Sequence, residues 1–331
     1  MKYFLAAIFV VSIAISVKAQ THKSQTFAFG SCNRQNLPQP LWDVILKDQP
    51  NVWIWLGDNI YGDSHDMSVL KEKYQIQNDN PNYKKFTAKV PIIGTWDDHD
   101  YGKNDAGINY PRKQESQQLA LDFLNVPKES PVRKQAGIYS SHDYQVGSKQ
   151  IKVILLDCRY HRDTLMQDND KRYIPNFKGD ILGEEQWTWL EKQLSSNADA
   201  YVIGSGIQVL SAEHPHEKWA NFPTAKKRLM DLLVKTKPKG VILLSGDRHI
   251  GEFSKIQIMG LNFPLYDITS SGLTNPASHI KAEHNPYRVG PLVNQKNYGL
   301  LEFKDKGKKL EVTMSLKGLE TPVYHKEVVE F

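Results

Sequence analysis

The sequence predicts a single α/β domain built on a mixed β-sheet, and two packed sheets flanked by helices would fit its length. Apolar segments of strand length alternate with helical segments along most of the 331 residues. Several strand segments are apolar throughout, which is typical of strands covered on both faces. The sequence contains no internal repeat, low-complexity segment or Gly/Ser linker, so nothing in it divides the chain.

The composition excludes several other classes of protein. Hydrophobic residues make up 40% of the chain and aromatic residues 10%, which is too much for a disordered protein. The 2 cysteines are too few for a disulfide-stapled mini-protein, and 21 Gly and 17 Pro without a period exclude collagen-like and coiled-coil classes. The net charge of +5 is mild; it would weakly attract anionic substrates but indicates no specific nucleic-acid partner.

The N-terminal segment is typical of a secretory signal. Lys2 precedes an apolar run at residues 4–17, and a small-x-small cleavage site follows before Gln20. The run is short for a membrane span, and no later segment is long and apolar enough for one. An N-terminal anchor is the alternative. We expect residues 1–19 to be a signal peptide, and residues 20–331 to be a periplasmic or secreted chain without a transmembrane segment.

The first half of the chain predicts strands and helices in alternation. A strand segment is a short apolar run, such as residues 52–56 between Pro50 and Gly57. A helical segment is longer and ends near a helix breaker, as residues 114–124 do before Pro127. In chain order we predict a strand at 26–30, a helix at 41–47, a strand at 52–56, a helix at 67–77, a strand at 90–95, a helix at 114–124 and a strand at 151–156.

The second half continues the alternation and ends in a hairpin. Thr224 is a candidate cap for a helix that stops before Pro238 and Gly240. Two short apolar runs around Gly307 predict paired antiparallel strands. In chain order we predict a helix at 184–194, a strand at 201–204, a helix at 224–236, a strand at 241–244 and hairpin strands at 298–303 and 310–316.

Polar clusters follow four of the apolar strands. They are Gly30-Ser31-Cys32-Asn33, residues 57–63 (GDNIYGD), residues 95–100 (TWDDHD) and residues 245–249 (SGDRH). Ligand sites in open α/β sheets lie beyond the carboxyl ends of the strands, and each cluster offers a thiolate, carboxylate, phenol or imidazole. Any one cluster alone is compatible with a structural turn. Together they predict a metal site.

The third cluster is the hardest to explain structurally. Asp97, Asp98 and Asp100 repel one another unless a cation or hydrogen bonds neutralise them. A solvated loop is the alternative, but the flanking Trp96 and Tyr101 indicate partial burial.

These motifs, in this order, resemble those of the PhoD-like (alkaline phosphatase D) metallophosphatases, a branch of the calcineurin-like metallophosphoesterase superfamily. Supporting similarity lies in residues 156–163 (LDCRYHRD), 181–190 (ILGEEQWTWL) and 269–274 (TSSGLT). The resemblance extends from about residue 27 to residue 303. It implies a β-sandwich of two mixed sheets with helices outside, and a site formed by the loops at strand ends.

The resemblance also implies metal ligands residue by residue. The implied ligands of a first metal, often ferric iron in the family, are Cys32, Asp58, Tyr61 and His249. Asp58 is implied as a bridge to a second position that is associated with calcium, where Asp98 and Asp247 supply oxygen donors. The wider superfamily has Asn and His at those two positions, so both resemble the PhoD branch. We expect two or more ions, Fe³⁺ with Ca²⁺, and Zn²⁺ or Mn²⁺ are the alternatives.

The remaining implied roles concern catalysis. His99 resembles the histidine that protonates the leaving group, and a hydroxide bound by the metals would attack phosphorus directly. Arg159 is a candidate to clamp phosphate oxygens, and Arg162 and Asn33 are candidate substrate contacts. The alternative for the arginines is a structural ion pair with Asp157 or Asp163. Whether Cys158, Gln208, His214 or His216 contributes to the site stays open; a Cys32–Cys158 disulfide would remove a ligand.

The sequence thus predicts a secreted, metal-dependent phosphatase or phosphodiesterase that acts on a small phosphate ester, such as a nucleotide or a lipid head group. The alternative is a non-catalytic protein that binds metal or phosphate on the same fold; it would be expected to lack His99 or Asp58, and both are present. A dinucleotide-dependent dehydrogenase would need Gly-x-Gly-x-x-Gly after the first strand, where this chain has Gly30-Ser-Cys-Asn-Arg-Gln.

Overall fold

Two mixed β-sheets pack face to face in the computed structural model, which describes residues 23–331. The strands are β1 (Ser24–Gly30), β2 (Val52–Leu56), β3 (Ile92–Thr95), β4 (Ser140–Val146), β5 (Lys149–Leu155), β6 (Met166–Gln167), β7 (Tyr173–Ile174), β8 (Ala200–Ser205), β9 (Val241–Ser245), β10 (Gly251–Ile256), β11 (Leu265–Ser270), β12 (Arg288–Val293), β13 (Asn297–Asp305), β14 (Leu310–Gly318) and β15 (His325–Glu330). The helices are α1 (Leu41–Lys47), α2 (Met67–Asp79), α3 (Pro81–Thr87), α4 (Asp98–Tyr101), α5 (Lys113–Phe123), α6 (Glu184–Leu194) and α7 (Pro223–Thr236). The predicted signal peptide lies outside the described residues.

Each large sheet combines parallel and antiparallel strands. The first has the order β15-β14-β13-β1-β2-β3, and the second has the order β12-β10-β11-β9-β8-β5-β4. β1, β2 and β3 run parallel to one another, as do β5, β8, β9 and β11. The carboxyl ends of parallel neighbours meet at one edge of a sheet, so the loops that follow these strands are brought together.

The alternation of side chains along each strand explains the apolar runs. In β2, Val52, Ile54 and Leu56 pack in the core between the two sheets, whereas Trp53 and Trp55 pack under the helices. Both faces of the strand are therefore buried, and every residue from Val52 to Leu56 is 0% exposed. β8 and β9 follow the same pattern, with one face in the core between the sheets and the other under α6 and α7.

The predicted elements are confirmed with shifted ends. α1, β2 and α6 have the predicted bounds, and β13 and β14 form the predicted antiparallel hairpin. One cap prediction is wrong: α7 begins at Pro223, and the Thr224 hydroxyl donates to Phe177 O rather than capping the helix. Within residues 23–331, no helix combines the length and the apolar character required to cross a membrane.

Several strands were not predicted from the sequence. β4, β12 and β15 lie at sheet edges, where one side of the strand meets solvent and polar residues interrupt any apolar run. β12 even contains a proline, which has no backbone N–H to donate; an edge strand tolerates this because one of its sides has no neighbouring strand.

Candidate metal centre

A pocket of about 460 Å³ opens where the strand-end loops of the two sheets converge. Four of the residues that line it belong to the predicted site: Asp98, His99, Asp247 and His249. Glycines allow the loops to approach closely. A Cβ at Gly57 would lie 2.3 Å from Asp97 Cβ, and one at Gly246 would lie 2.5 Å from Leu56 O.

The predicted ligands come together from distant parts of the chain. Their ligand atoms form three groups within which all atoms lie within 4.8 Å of one another: Cys32, Asp58 and His249; Asp58, Asp98 and His99; and Asp97, Asp98 and Asp247. Asp58 belongs to two groups, as expected of a bridging carboxylate. Asp98 links the second group to the third, so the donors form one continuous cluster.

The backbone at these ligands is strained. Cys32, Asp58, Asp247 and His249 adopt left-handed conformations with φ of 57°, 50°, 68° and 58°. Such conformations cost roughly 1–3 kcal/mol each in residues other than glycine and concentrate at functional sites. All four strained residues belong to the cluster of candidate ligands.

Cys32, Asp58 and Tyr61 form the anionic side of the cluster. Cys32 Sγ lies 3.5 Å from Asp58 Oδ2, and the Tyr61 hydroxyl lies 3.1 Å from the same oxygen. The Tyr61 hydroxyl also lies 3.3 Å from His249 Nε2, so a chain of contacts connects all four predicted ligands of the first metal. Both cysteines are free and buried; Cys158 Sγ contacts Ser205 Oγ instead of Cys32.

The orientation of the His249 ring leaves one nitrogen for a metal. Nδ1 makes a short hydrogen bond to the carbonyl of Asn275, so in this geometry Nδ1 carries the proton. Nε2 is then the unprotonated nitrogen, and it lies 3.3 Å from the Tyr61 hydroxyl. A carbonyl that fixes the tautomer of a ligating histidine is a common feature of metal sites.

Backbone hydrogen bonds hold the second part of the cluster. Asp98 opens the short helix α4; one carboxylate oxygen accepts from its neighbour His99 N at 2.9 Å and the other from Asp105 N at 2.6 Å. The buried Asp100 accepts from Asp97 N at 2.7 Å and from Asp58 N at 3.2 Å. The carboxylate of Asp100 therefore ties the second and third loops together rather than facing the pocket.

His99 lines the pocket and is oriented by Asp63. Its Nδ1 lies 2.7 Å from Asp63 Oδ1, and its ring packs against Tyr61 with centroids 4.3 Å apart. Burial lowers the pKa of His99, but the hydrogen bond to Asp63 and the charge of Asp98 outweigh burial, and the net pKa is raised. A raised pKa keeps the imidazole protonated to higher pH, which is the state that a proton donor needs.

The charges of the cluster are unbalanced without a cation. Burial, reinforced by Asp247, raises the pKa of the Cys32 thiol to about 12, and burial with Cys32 and Asp98 raises the pKa of Asp58 well above its ordinary value. The pKa of Asp98 is lowered despite burial, because Arg159 and His99 favour its carboxylate. Asp58 Oδ1 is buried without a hydrogen-bond partner among the described residues. An orphaned oxygen beside a thiol, a phenol and an imidazole fits a bound metal ion.

Arg159 lies elsewhere than predicted. Its guanidinium is 0% exposed and pairs with Asp97 Oδ1 and Glu217 Oε2, both at 2.5 Å. The ion-pair alternative therefore describes it better than a phosphate clamp, although the partners are not the expected ones: Asp157 accepts only the backbone N–H of Arg159. Because Asp97 lies in the third ligand group, we assign Arg159 as a positioning residue.

Arg162 and Asn33 also lie away from the pocket. Arg162 is 1% exposed, and its Nε lies 2.9 Å from Glu217 Oε1. Asn33 is buried and donates to Gln77 Oε1 at 2.7 Å, so its amide helps to fix the first loop. In this arrangement neither side chain reaches the pocket that His99 and Asp98 line.

The structure also places the residues whose contribution to the site the sequence left open. Gln208 is buried, and its Nε2 donates to Glu252 and Thr269. His214 is 2% exposed, which differs from the surface position expected of its loop, whereas His216 lines the pocket.

Sequence reasoning missed Asp63 and Asn275 as orienting groups and Arg248 as a pocket residue. Asp63 and Arg248 stand inside the quoted motifs, so position in a motif was the available signal. Asn275 acts through its carbonyl, which no side-chain pattern reveals.

The fold and the site together define an α/β sandwich protein with a cluster of candidate metal ligands at its strand ends. The sequence profile of the family described as PhoD-like phosphatase matches residues 27–285. Alkaline phosphatase D from Bacillus subtilis (strain 168) is 24% identical over 300 residues, covering 75% of this chain and 51% of that protein. The chain thus spans about half the length of this curated relative.

A solved structure of PhoD has the same fold, with a TM-score of 0.71 at 18% identity; the match covers 94% of this chain and 69% of the other. Since the family profile covers most of the chain, the chain belongs to the PhoD-like phosphatases, a family of metal-dependent phosphoric ester hydrolases.

Proposed function

We propose that this chain is a secreted, metal-dependent phosphatase or phosphodiesterase that hydrolyses a small phosphate ester. The observation that carries the proposal is the convergence of Cys32, Asp58, Asp98 and His249 beside His99 at one pocket. Secretion rests on the signal-like residues 1–19.

The donor atoms favour two kinds of cation. A thiolate and a phenolate are anionic donors, so Cys32 and Tyr61, with Asp58 and His249, suit an ion of high charge, for which we propose Fe³⁺. Asp98 and Asp247, with Asp58 as the shared ligand, offer oxygen donors, for which we propose Ca²⁺. Bound there, the ions would activate water as hydroxide for direct attack on phosphorus and neutralise charge on the phosphate oxygens.

The protein's own groups perform the remaining tasks. Protonated His99 donates its proton to the leaving oxygen, and Asp63 holds the ring in the orientation that this requires. Arg159 keeps Asp97 in place beside Asp98 and Asp247. No serine or threonine nucleophile is needed, so we expect no phosphoryl-enzyme.

Elemental analysis combined with paired substrates tests the proposal. The purified protein is analysed for iron, calcium, zinc and manganese, and assayed on p-nitrophenyl phosphate and on bis-p-nitrophenyl phosphate. We expect bound metal and hydrolysis of at least one ester, and a chelator should remove both together. Bound metal with no hydrolysis of either ester would instead favour a non-catalytic metal-binding protein.

A further inference from the structure

Arg248 forms part of the pocket wall next to the candidate metal centre. It lies in sequence between Asp247 and His249, so its own side chain is free of any predicted ligand role. The side chain lines the same pocket as Asp98 and His99 and is 3% exposed. A guanidinium held at this depth is a built feature of the pocket rather than a solvated surface charge.

The Arg248 guanidinium has an N–H donor without a hydrogen-bond partner among residues 23–331. That donor is Nε, which is buried, whereas Nη2 donates to Glu283 Oε2 at 2.6 Å. A guanidinium carries five N–H donors in a rigid fork, and a buried donor left unpaired costs free energy. Glu283 alone therefore does not satisfy Arg248.

Arg248 lies close enough to Lys218 and His216 to influence their titration. Burial, followed by the charge of Arg248, lowers the pKa of Lys218 to about 8 and the pKa of His216 to about 4. The nearby carboxylate of Glu217 is already paired with Arg159 and Arg162. Arg248 is the one arginine or lysine among the described residues that line the pocket, which also include Asp98, Asp105, Glu217 and Asp247.

We propose that Arg248 binds a second anionic group of the substrate, so that the site prefers phosphate esters that carry another phosphate or a carboxylate beside the scissile phosphate. The guanidinium fork matches both groups geometrically. The pocket volume of about 460 Å³ is much larger than one phosphate requires, and falls within the range of roughly 300–1,000 Å³ typical of ligand pockets. The inference rests on the proposed phosphoesterase function and names its substrate class.

The test compares ADP, AMP and p-nitrophenyl phosphate on the metal-loaded protein. Hydrolysis of ADP breaks the terminal P–O bond, and water supplies the oxygen of the released phosphate, leaving AMP. We expect Arg248→Gln to lower kcat/KM for ADP at least about tenfold more than kcat/KM for p-nitrophenyl phosphate, since one charge-assisted hydrogen bond contributes about that factor. Most of the loss should lie in KM, and Arg248→Lys should recover part of it.

The control is Arg228→Gln, which removes an arginine paired with Glu184 on the far side of the second sheet. It should change kcat/KM for the three substrates by the same factor. Equal losses for all three substrates in Arg248→Gln would overturn the proposal and indicate a structural ion pair with Glu283. If Arg248→Gln does not fold, Arg248→Lys is used instead. A ratio of kcat/KM for ADP to kcat/KM for AMP that equals the wild-type ratio would then overturn the proposal.

A binding measurement separates this proposal from the proposed function. Isothermal titration of the wild type with ADP and with AMP is repeated on Arg248→Gln. Tighter binding of ADP that the substitution removes supports the subsite even if no ester is hydrolysed. Equal binding of the two nucleotides by the wild type overturns the subsite even if p-nitrophenyl phosphate is hydrolysed.

Discussion

Replacing Asp58 by Asn tests the charge balance of the site. Asp58 contributes to two ligand groups, one with Cys32 and His249 and one with Asp98 and His99, in which the ligand atoms lie within 4.8 Å of one another. Two negative charges 4.8 Å apart repel by about 3 kcal/mol at an effective dielectric constant of about 20. Without a cation, Asp58 therefore destabilises the fold when ionised; with cations, the same charge attracts them.

The substitution should act in opposite directions with and without metal. In the metal-stripped protein, Asp58→Asn should leave the unfolding temperature unchanged or raise it by several degrees, because the amide keeps the size of the buried carboxyl and removes its repulsion from neighbouring carboxylates. Metal at about a thousand times its Kd should stabilise the wild type by about 4 kcal/mol and the variant far less. Thermal unfolding with and without a chelator measures both effects, and p-nitrophenyl phosphate hydrolysis should be abolished.

Asp180→Asn is the matched control, since Asp180 accepts from Trp187 Nε1 and Gly183 N outside the candidate site. It should lower stability to the same extent with and without metal. An Asp58→Asn protein that keeps both the metal-induced rise in unfolding temperature and the activity would refute the bridging assignment. A variant destabilised equally in both states would show that Asp58 has a structural role alone.

The remaining predictions concern the proton donor His99, the candidate thiolate ligand Cys32 and the buried Trp42. His99→Ala should lower kcat for alkyl phosphates roughly tenfold more than for p-nitrophenyl phosphate, whose leaving group needs no proton; equal losses contradict the donor role. Asp63→Asn removes the negative charge of the hydrogen-bond acceptor that raises the pKa of His99, so the high-pH limb of the alkyl phosphate profile should move to lower pH rather than stay in place. In iron-loaded protein, Cys32→Ser should weaken the visible charge-transfer band and Cys158→Ser should not; identical spectra would exclude Cys32 as its source. Trp42→Ala should lower the free energy of unfolding in urea by about 3–5 kcal/mol while metal content is kept, and a loss below about 1 kcal/mol would show that its aromatic cluster packs loosely.

Local pattern predicted those elements whose burial is uniform. β2 was identified with its correct bounds because both of its faces are covered, which leaves an unbroken apolar run in the sequence. β4 was missed because it lies at a sheet edge, where its burial is uneven and no apolar run exists. β10 was missed for a different reason: it is buried for most of its length but carries Glu252 and Ser254, whose polarity is satisfied by contacts from other loops.

The candidate site also has a part that local sequence predicts and a part that it does not. The ligand types and their places after strands are properties of short motifs, so the sequence was sufficient to select Cys32, Asp58, Asp98 and His249 as candidate ligands, which the fold brings close together. Arg159 could not be assigned in that way. Its buried partners, Asp97 and Glu217, are 62 and 58 residues away along the chain, and local sequence does not indicate which of several carboxylates an arginine will meet.

The sequence by itself determined which segments form strands covered on both faces, and which donor atoms stand at the strand ends, because both depend on residues a few positions apart. Tertiary structure decided which of those donors lie within reach of one another, which arginine is held in a buried ion pair and which one lines the pocket. Those outcomes depend on how loops from two different sheets approach each other, and the glycines and left-handed residues at the loops set that approach over distances that no local pattern records.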